Sequence, residues 1–145
     1  MRFSRIIISF ILAFCLFLNI YAVKKAYGDA VVSQVISVYD GDTFTVDIDE
    51  FPPIIGEKVS VRIAGIDTPE IRSKSPEVKE KALLARFYTE IALGKAKEIV
   101  LKNIRRDKYF RILAKVIVDG KDLAQDLIKN GLAIKYNGGK KPSWE

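Results

Sequence analysis

VVSQVISVYDGDTFTVDI, residues Val31 to Ile48, carries the strongest structural signal in this chain. Valine, isoleucine, threonine and aromatic residues, which favour strands, dominate both halves of the stretch. The halves meet at Asp40-Gly41, a dipeptide typical of a tight hairpin turn. The sequence therefore predicts two antiparallel strands joined at Asp40-Gly41.

A third strand is expected shortly after this hairpin. Asp49 to Gly56 contains two prolines and a glycine, which predicts a connecting loop. Lys58 to Ile66, KVSVRIAGI, then alternates between apolar and polar or small residues. The domain is thus expected to open with a three-stranded meander.

The clearest predicted helix begins at Ser75-Pro76-Glu77. Serine is a favoured N-cap, proline suits the first helical position, and an acidic residue suits the first turn. Apolar residues then recur at helical spacing until Gly94, where the helix is expected to end.

The last third of the sequence predicts two more strands, Lys97 to Ile104 and Phe110 to Val118, and a short helix from Asp122 to Asn130. Five strands and two helices indicate an α+β, mainly β domain. Barrel closure would remove the exposed edges of so small a sheet, so we favour a five-stranded OB-fold barrel with two packed helices. Other small α+β folds fit the same pattern.

The first 30 residues differ in composition from the rest of the chain. Arg2 and Arg5 precede an apolar run from Ile6 to Val23, and small residues follow at Gly28 and Ala30. This pattern predicts a signal peptide, with an uncleaved membrane anchor as the alternative. We therefore divide the chain into a leader, 1–30, and a domain, 31–145, and expect the domain to be exported: secreted, periplasmic or at the cell surface.

Composition excludes several kinds of chemistry. The chain has no histidine, and its single cysteine, Cys15, lies in the leader. A Cys/His zinc site, a Ser-His-Asp triad and any imidazole acid or base are therefore excluded from the domain. Four of the 24 basic residues precede Gly28, leaving 20 against 18 acidic residues, so bulk charge alone does not indicate nucleic-acid binding.

Four carboxylates fall at predicted strand ends: Asp40, Asp42, Asp67 and Glu70. Ordinary turn and loop chemistry explains each of them singly. Together, aspartates at the ends of neighbouring strands could converge on one hard cation, and calcium would complete its six to eight oxygen ligands with carbonyls and water.

Basic and aromatic residues are candidates for substrate contacts. Arg62, within a predicted strand, and Arg111, after a basic turn, have guanidinium groups suited to bidentate phosphate contacts. Lys108, Tyr109 and Tyr136 combine cations and rings that suit a nucleotide. Solvated surface charge, and tyrosines in the core or at the rim of a barrel, are the simpler interpretations.

Several short motifs, in order, cover nearly the whole domain. They are Asp40-Gly41-Asp42-Thr43, Arg62 with Asp67-Thr68-Pro69-Glu70, Asp107-Lys108-Tyr109-Phe110-Arg111 and Gly131-Leu132-Ala133. In this order and spacing the chain resembles the staphylococcal nuclease (thermonuclease) family. The resemblance implies an OB barrel that hydrolyses phosphodiester bonds in DNA and RNA with calcium as cofactor, and we expect a monomer.

The resemblance also implies a role for each candidate residue. Calcium would be held by two carboxylates and a main-chain carbonyl: Asp42, Asp67 and Thr68, with Asp40 nearby. The catalytic residues would be Glu70, as the general base, with Arg62 and Arg111 on the phosphate. The nucleotide would contact Lys108, Tyr109 and Tyr136. A general-base carboxylate is chemically reasonable here, since calcium activates water less than zinc does.

The sequence departs from the family at two places. The family often has glycine where Phe110 stands, and the best-known members continue into a third helix where this chain has a loop-like tail that contains Trp144. We interpret Trp144 as packing back onto the barrel. A catalytically inactive OB module that binds nucleic acid or protein, and a membrane-tethered structural domain, remain the rival functions.

Overall fold

The computed structural model describes residues 26–144 of the chain. In chain order, the elements are β1 (Ala30–Val31), β2 (Gln34–Asp40), β3 (Thr43–Asp47), α1 (Pro53–Gly56), β4 (Val59–Ile63), β5 (Ile66–Asp67), α2 (Pro76–Gly94), β6 (Ile99–Arg106), β7 (Ile112–Val118), β8 (Lys121–Asp122), α3 (Leu123–Lys129) and β9 (Ile134–Lys135).

The predicted opening meander is confirmed. β2 and β3 pair in antiparallel fashion around Gly41 and Asp42, and β3 pairs with β4 on its other side. Phe44 and Val46 of β3 are buried and alternate with partly exposed residues, as expected for a strand with one face on a core.

The loop prediction for Asp49 to Gly56 is wrong over its second half, where α1 forms a single helical turn. Pro53 occupies the first turn, where a missing N–H has no cost. The N–H of Gly56 donates to the Pro52 carbonyl at 2.9 Å. A Cβ at Gly56 would lie 2.6 Å from the Ile48 carbonyl oxygen, so this tight return requires glycine.

The third strand ends earlier than predicted, at Ile63 instead of Ile66. Ala64 and Gly65 form a turn, and Gly65 has a positive φ of 84° that glycine tolerates. After the turn, β5 leaves the main sheet and pairs with β9 in a separate two-stranded sheet. This change of sheet sets the position of Asp67.

Helix α2 has the predicted bounds. The Ser75 side chain accepts a hydrogen bond from the Val78 N–H, with Pro76 in the first turn. The buried face consists of Val78, Ala82, Ala85, Thr89 and Leu93.

The second pair of strands is present, but both begin two residues later than predicted. Asp119 accepts hydrogen bonds from the N–H groups of Lys97 and Glu98 at 2.9 Å, which holds those two residues outside β6. Phe110 lies in the turn before β7 with a φ of 63°. In α3, the residue predicted to begin the helix, Asp122, is its N-cap and accepts from the Ala124 N–H.

The main sheet has the strand order β1-β6-β7-β4-β3-β2, with β8 beside β7, and β4 and β7 run parallel. Val32 and Ser33 connect the two outer strands, β1 and β2. The Val32 N–H donates to the Ile99 carbonyl of β6, and the Ser33 N–H donates to the Asp47 carbonyl of β3, each at 2.9 Å. The segment thus pairs first with β6 and then with β3, which curls the sheet into the expected OB-like barrel.

Nine strands and three helices are present in residues 26–144, compared with the predicted five and two. The additional strands, β1, β5, β8 and β9, have two residues each. Within this described part, no helix is long and apolar enough to cross a membrane. The predicted leader lies almost wholly outside the described residues.

Candidate active site

The turn between β2 and β3 buries Asp42 against the segment that follows β5. Only 1% of Asp42 is exposed, and its Oδ2 accepts a hydrogen bond from the Thr68 N–H at 3.1 Å. Oδ1 accepts one from the Thr43 hydroxyl at 3.0 Å. A Cβ at Gly41 would lie 2.7 Å from the Ala85 Cβ, so glycine permits the close approach of α2 as well as the turn.

Arg62 connects the two aspartates that the sequence predicts as metal ligands. From β4, its Nη1 pairs with Asp42 Oδ1, and its Nη2 lies 3.1 Å from Asp67 Oδ1. Asp67 is also only 1% exposed. Arg62 is therefore not a solvated surface charge, because it compensates two buried carboxylates.

The electrostatics of Asp42 are unusual. Burial raises its pKa to about 7, with the neighbouring Arg62 acting in the opposite direction and Asp40 raising the pKa further. Asp40 also accepts a hydrogen bond from the Asp42 N–H at 3.3 Å. The carboxylates of Asp40 and Asp42 thus act against each other, so an added cation beside them would be stabilised.

Glu70 stands at the exposed rim, in the loop that leads to α2. Its side chain is 64% exposed, and its Oε1 lies 2.6 Å from the Lys141 ammonium. Lys141 also lies 3.5 Å from Asp67 Oδ1. Partial burial lowers the pKa of Lys141, but the bond to Glu70 and the charge of Asp67 outweigh this effect and leave that pKa raised.

Arg111 is fixed by the turn that precedes β7. Its Nε and Nη2 bond Asp107 Oδ2 at 2.8 and 2.7 Å. The other oxygen, Asp107 Oδ1, accepts the N–H groups of Tyr109 at 2.8 Å and of Arg111 at 3.0 Å. Although partial burial acts to raise the Asp107 pKa, the hydrogen bonds from Arg111 and the backbone hold it below its usual value.

The predicted nucleotide-binding residues surround the same opening. The Lys108 ammonium lies 4.9 Å from the centre of the Tyr109 ring, and the Arg111 guanidinium lies 5.3 Å from it. Tyr136 donates its hydroxyl to the Gly139 carbonyl at 2.8 Å. Basic and aromatic groups thus form one rim.

All ten predicted site residues line a single cavity of about 1370 Å³. They are Asp40, Asp42, Arg62, Asp67, Thr68, Glu70, Lys108, Tyr109, Arg111 and Tyr136. The fold therefore brings together residues from four separate stretches of the chain. The roles assigned to them remain predictions.

The candidate ligands for a metal ion at this site are oxygen atoms. Asp42 and Asp67 present hard oxygen atoms, and no soft ligand accompanies them, which fits a hard cation. Among residues 26–144, no group of three or more His, Cys, Asp or Glu residues is arranged to hold a metal. A cation here would therefore depend on two carboxylates together with carbonyl oxygen and water.

The sequence of the chain is similar to those of known proteins. A family model described as "Staphylococcal nuclease homologue" matches residues 60–143, more than half of the chain. The chain belongs to the staphylococcal nuclease family. The match includes the strand that carries Arg62, the Asp67-Thr68-Pro69-Glu70 motif and the turn that carries Arg111.

Three relatives of this nuclease-family chain carry the word endonuclease in their names. Endonuclease YncB and SPbeta prophage-derived endonuclease YokF, both from Bacillus subtilis, are each 38% identical to it over 103 residues, which is 65% of this chain. Probable endonuclease LCL3 from Komagataella phaffii is 27% identical over 143 residues, 81% of this chain. The chain covers 43%, 30% and 59% of these three relatives, respectively.

Sequence reasoning missed two site residues in this staphylococcal nuclease-like domain. Asp107 holds Arg111 in place. The sequence contains a signal for this, because an aspartate in a turn often accepts a hydrogen bond from the N–H two residues later, here that of Tyr109. Lys141 contacts Glu70 across 71 positions of sequence, and no local pattern indicates such a contact. The placement of Trp144 over the barrel is confirmed, since its indole N–H donates to Asp67 Oδ2 at 3.2 Å.

Proposed function

We propose that the protein is a calcium-dependent nuclease that hydrolyses phosphodiester bonds in DNA and RNA. The observation that carries the proposal is the convergence of two buried aspartates, two arginines and a glutamate on one cavity. A domain that only bound nucleic acid would have no need of buried carboxylates beside a phosphate site, since they repel the ligand. The endonuclease names of the relatives support the same activity.

Calcium would be held by Asp42, Asp67 and the Thr68 carbonyl. Bound there, it would supply positive charge to a phosphate oxygen and lower the pKa of a bound water. Arg62 now compensates the charge of both aspartates. A calcium ion bound to those carboxylates would compensate their charge in place of Arg62. The guanidinium group of Arg62 would then be available to the phosphate.

Glu70 is the proposed general base. Its exposed position at the cavity rim lets the carboxylate accept a proton from a water molecule as the water oxygen attacks phosphorus and the bond to the leaving oxygen breaks. The chain has no histidine to take this role.

Arg111 is suited to stabilise the charge that develops on the phosphate. Asp107 engages two of its three guanidinium nitrogens, which fixes the group and leaves Nη1 available among the described residues. A donor held in place before the reaction needs little reorganisation during it. Lys108, Tyr109 and Tyr136 would contact the nucleotide through charge and ring stacking.

The decisive assay is cleavage of plasmid DNA and of single-stranded RNA by the purified protein, with calcium and with excess chelator. Glu70→Gln should abolish most cleavage without weakening nucleic-acid binding, because it removes the base but preserves the shape of the side chain. Glu90→Gln on the exposed face of α2 is the matched control. Binding without cleavage in every divalent ion would instead indicate an inactive OB module.

Export of the domain is a separate proposal and rests on the leader sequence. The basic start, the apolar run and the small residues up to Ala30 support a signal peptide. N-terminal sequencing of protein recovered from outside the cytoplasmic membrane should give a start near Gly28 or Ala30. A soluble cytosolic protein that starts at Met1 would refute this proposal.

A further inference from the structure

Residues 137–144, named here the tail, lie across the candidate active site. Lys141 contacts Glu70 at 2.6 Å and Asp67 at 3.5 Å, and the Trp144 indole donates to Asp67 at 3.2 Å. The tail therefore binds the proposed general base and one proposed calcium ligand at the same time.

The tail follows an irregular path to this position. The last strand, β9, ends at Lys135, and the tail has no helix or strand of its own. Gly138 and Gly139 have φ values of 100° and 93°, which permit a chain reversal that other residues rarely adopt. The Lys81 ammonium lies 5.6 Å from the centre of the Trp144 ring. Lys141 and Trp144 thus attach the tail directly to the site.

These contacts compete with the proposed chemistry. The lysine ammonium lies at hydrogen-bond distance from the Glu70 oxygen that would bind a water. It also brings a second positive charge, besides Arg62, close to Asp67. A divalent ion on Asp67 would be repelled by that ammonium over a few ångströms. Lys141 and a bound divalent ion are therefore unfavourable together.

We propose that the tail is an internal competitor of the divalent cation, with Lys141 and Trp144 occupying Glu70 and Asp67 until cation and nucleic acid displace them. This inference rests on the proposed function of the site. Because coupling is reciprocal, the tail weakens cation binding by the same factor by which the cation weakens tail docking.

The first test is calorimetric titration of the cation-free protein with calcium alone. Lys141→Gln should bind calcium about fivefold or more tightly than the parent, within the usual range of coupling between sites. Lys140→Gln is the matched control, because it removes the same charge from the neighbouring position, which has no ion pair to the described residues. The difference should shrink at high salt, which screens exposed charges.

The second test uses the fluorescence of Trp144, the only tryptophan in the chain. Calcium should shift the emission of the parent to longer wavelength as the indole leaves Asp67 for water. Asp42→Ala, which lacks a proposed ligand, should show no shift at the same calcium concentration.

The outcomes separate this inference from the proposed function. If the parent and Lys141→Gln bind calcium equally and the emission wavelength does not change, the tail stays in place when calcium binds and the inference is wrong. If Lys141→Gln cleaves more slowly at saturating calcium, Lys141 assists the reaction, which also overturns the competition. If no variant binds calcium and none cleaves, the proposed function has failed with it.

Discussion

Arg62 compensates the charge of two buried aspartates and, in the proposed function, also contacts a phosphate. Both roles use its planar fork, since Nη1 and Nη2 contact different carboxylates. Arg62→Lys keeps the charge but loses the fork. We expect kcat to fall by about 100-fold or more, the usual effect of losing one well-placed donor, with the circular dichroism spectrum unchanged.

Arg86→Lys on α2 is the control for that substitution, because Arg86 has no ion pair to any described residue. Its turnover should match the parent. Turnover of Arg62→Lys close to that of the parent would show that Arg62 contributes charge alone.

Phe110 carries backbone strain in an exposed position. Its φ is 63°, and its side chain is 82% exposed, so the ring has little packing to offset the strain. Glycine, common at this position in the family, avoids the cost of a positive φ, about 1 to 2 kcal/mol. It also makes the unfolded chain more flexible, which offsets part of that gain in stability. We therefore expect Phe110→Gly to be more stable than Phe110→Ala by about 1 kcal/mol.

Urea unfolding of the two variants measures this difference. Alanine removes the ring but keeps the Cβ, so the comparison isolates the backbone term. Equal stability would mean that the turn relaxes around any residue.

At the scale of elements, the turn between β6 and β7 depends on Asp107. Its carboxylate accepts two backbone N–H groups and two Arg111 nitrogens. Asp107→Asn keeps an acceptor for the backbone but loses the charge. At pH 7 we expect a loss of about 1.5 to 3 kcal/mol, the usual contribution of a hydrogen bond to a charged group.

The pH dependence of that loss follows from the lowered pKa of Asp107. The stabilisation is fully present above the unfolded pKa of about 3.9 and is lost as the pH falls through the folded value. Unfolding of the parent and of Asp107→Asn should therefore differ at pH 7 and converge toward pH 2. A difference independent of pH would indicate that only shape matters.

The elements divide clearly into those that sequence predicts and those that it does not. The hairpin at Asp40-Gly41 and the Ser75 cap of α2 were predictable because turn and cap chemistry are local. β5 and β9 were not, since two residues carry no periodicity and their pairing depends on distant chain. The predicted start of β7 at Phe110 was wrong, because Phe110 has a positive φ although phenylalanine intrinsically favours strands.

At the scale of the whole molecule, the candidate site was predictable as a set of residues but not as an arrangement. The motifs indicated which carboxylates and arginines matter, and the cavity contains all of them. The contact of Arg62 with both aspartates and that of Lys141 with Glu70 depend on the curled sheet and on the path of the tail.

The barrel also affects which hard cation would suit the proposed site. It presents Asp42 from a hairpin turn and Asp67 from a separate small sheet, and both are buried. A cation there must accept a carbonyl, several waters and a phosphate oxygen in addition. Calcium tolerates such a loose shell of about six to eight ligands, whereas magnesium requires a near-ideal octahedron at about 2.0 to 2.1 Å.

We therefore expect calcium to support cleavage and magnesium to bind while supporting little, because a tighter shell would move the nucleophilic water away from Glu70. Titration of chelator-treated protein with calcium, magnesium and manganese, followed by both cleavage and thermal unfolding, tests this expectation. Since an ion that binds only the folded state raises the melting temperature, unfolding reports occupancy independently of activity. Asp42→Ala should lose both responses to calcium. Full cleavage in chelator, or by Asp42→Ala, would show that the reaction does not depend on this cation site.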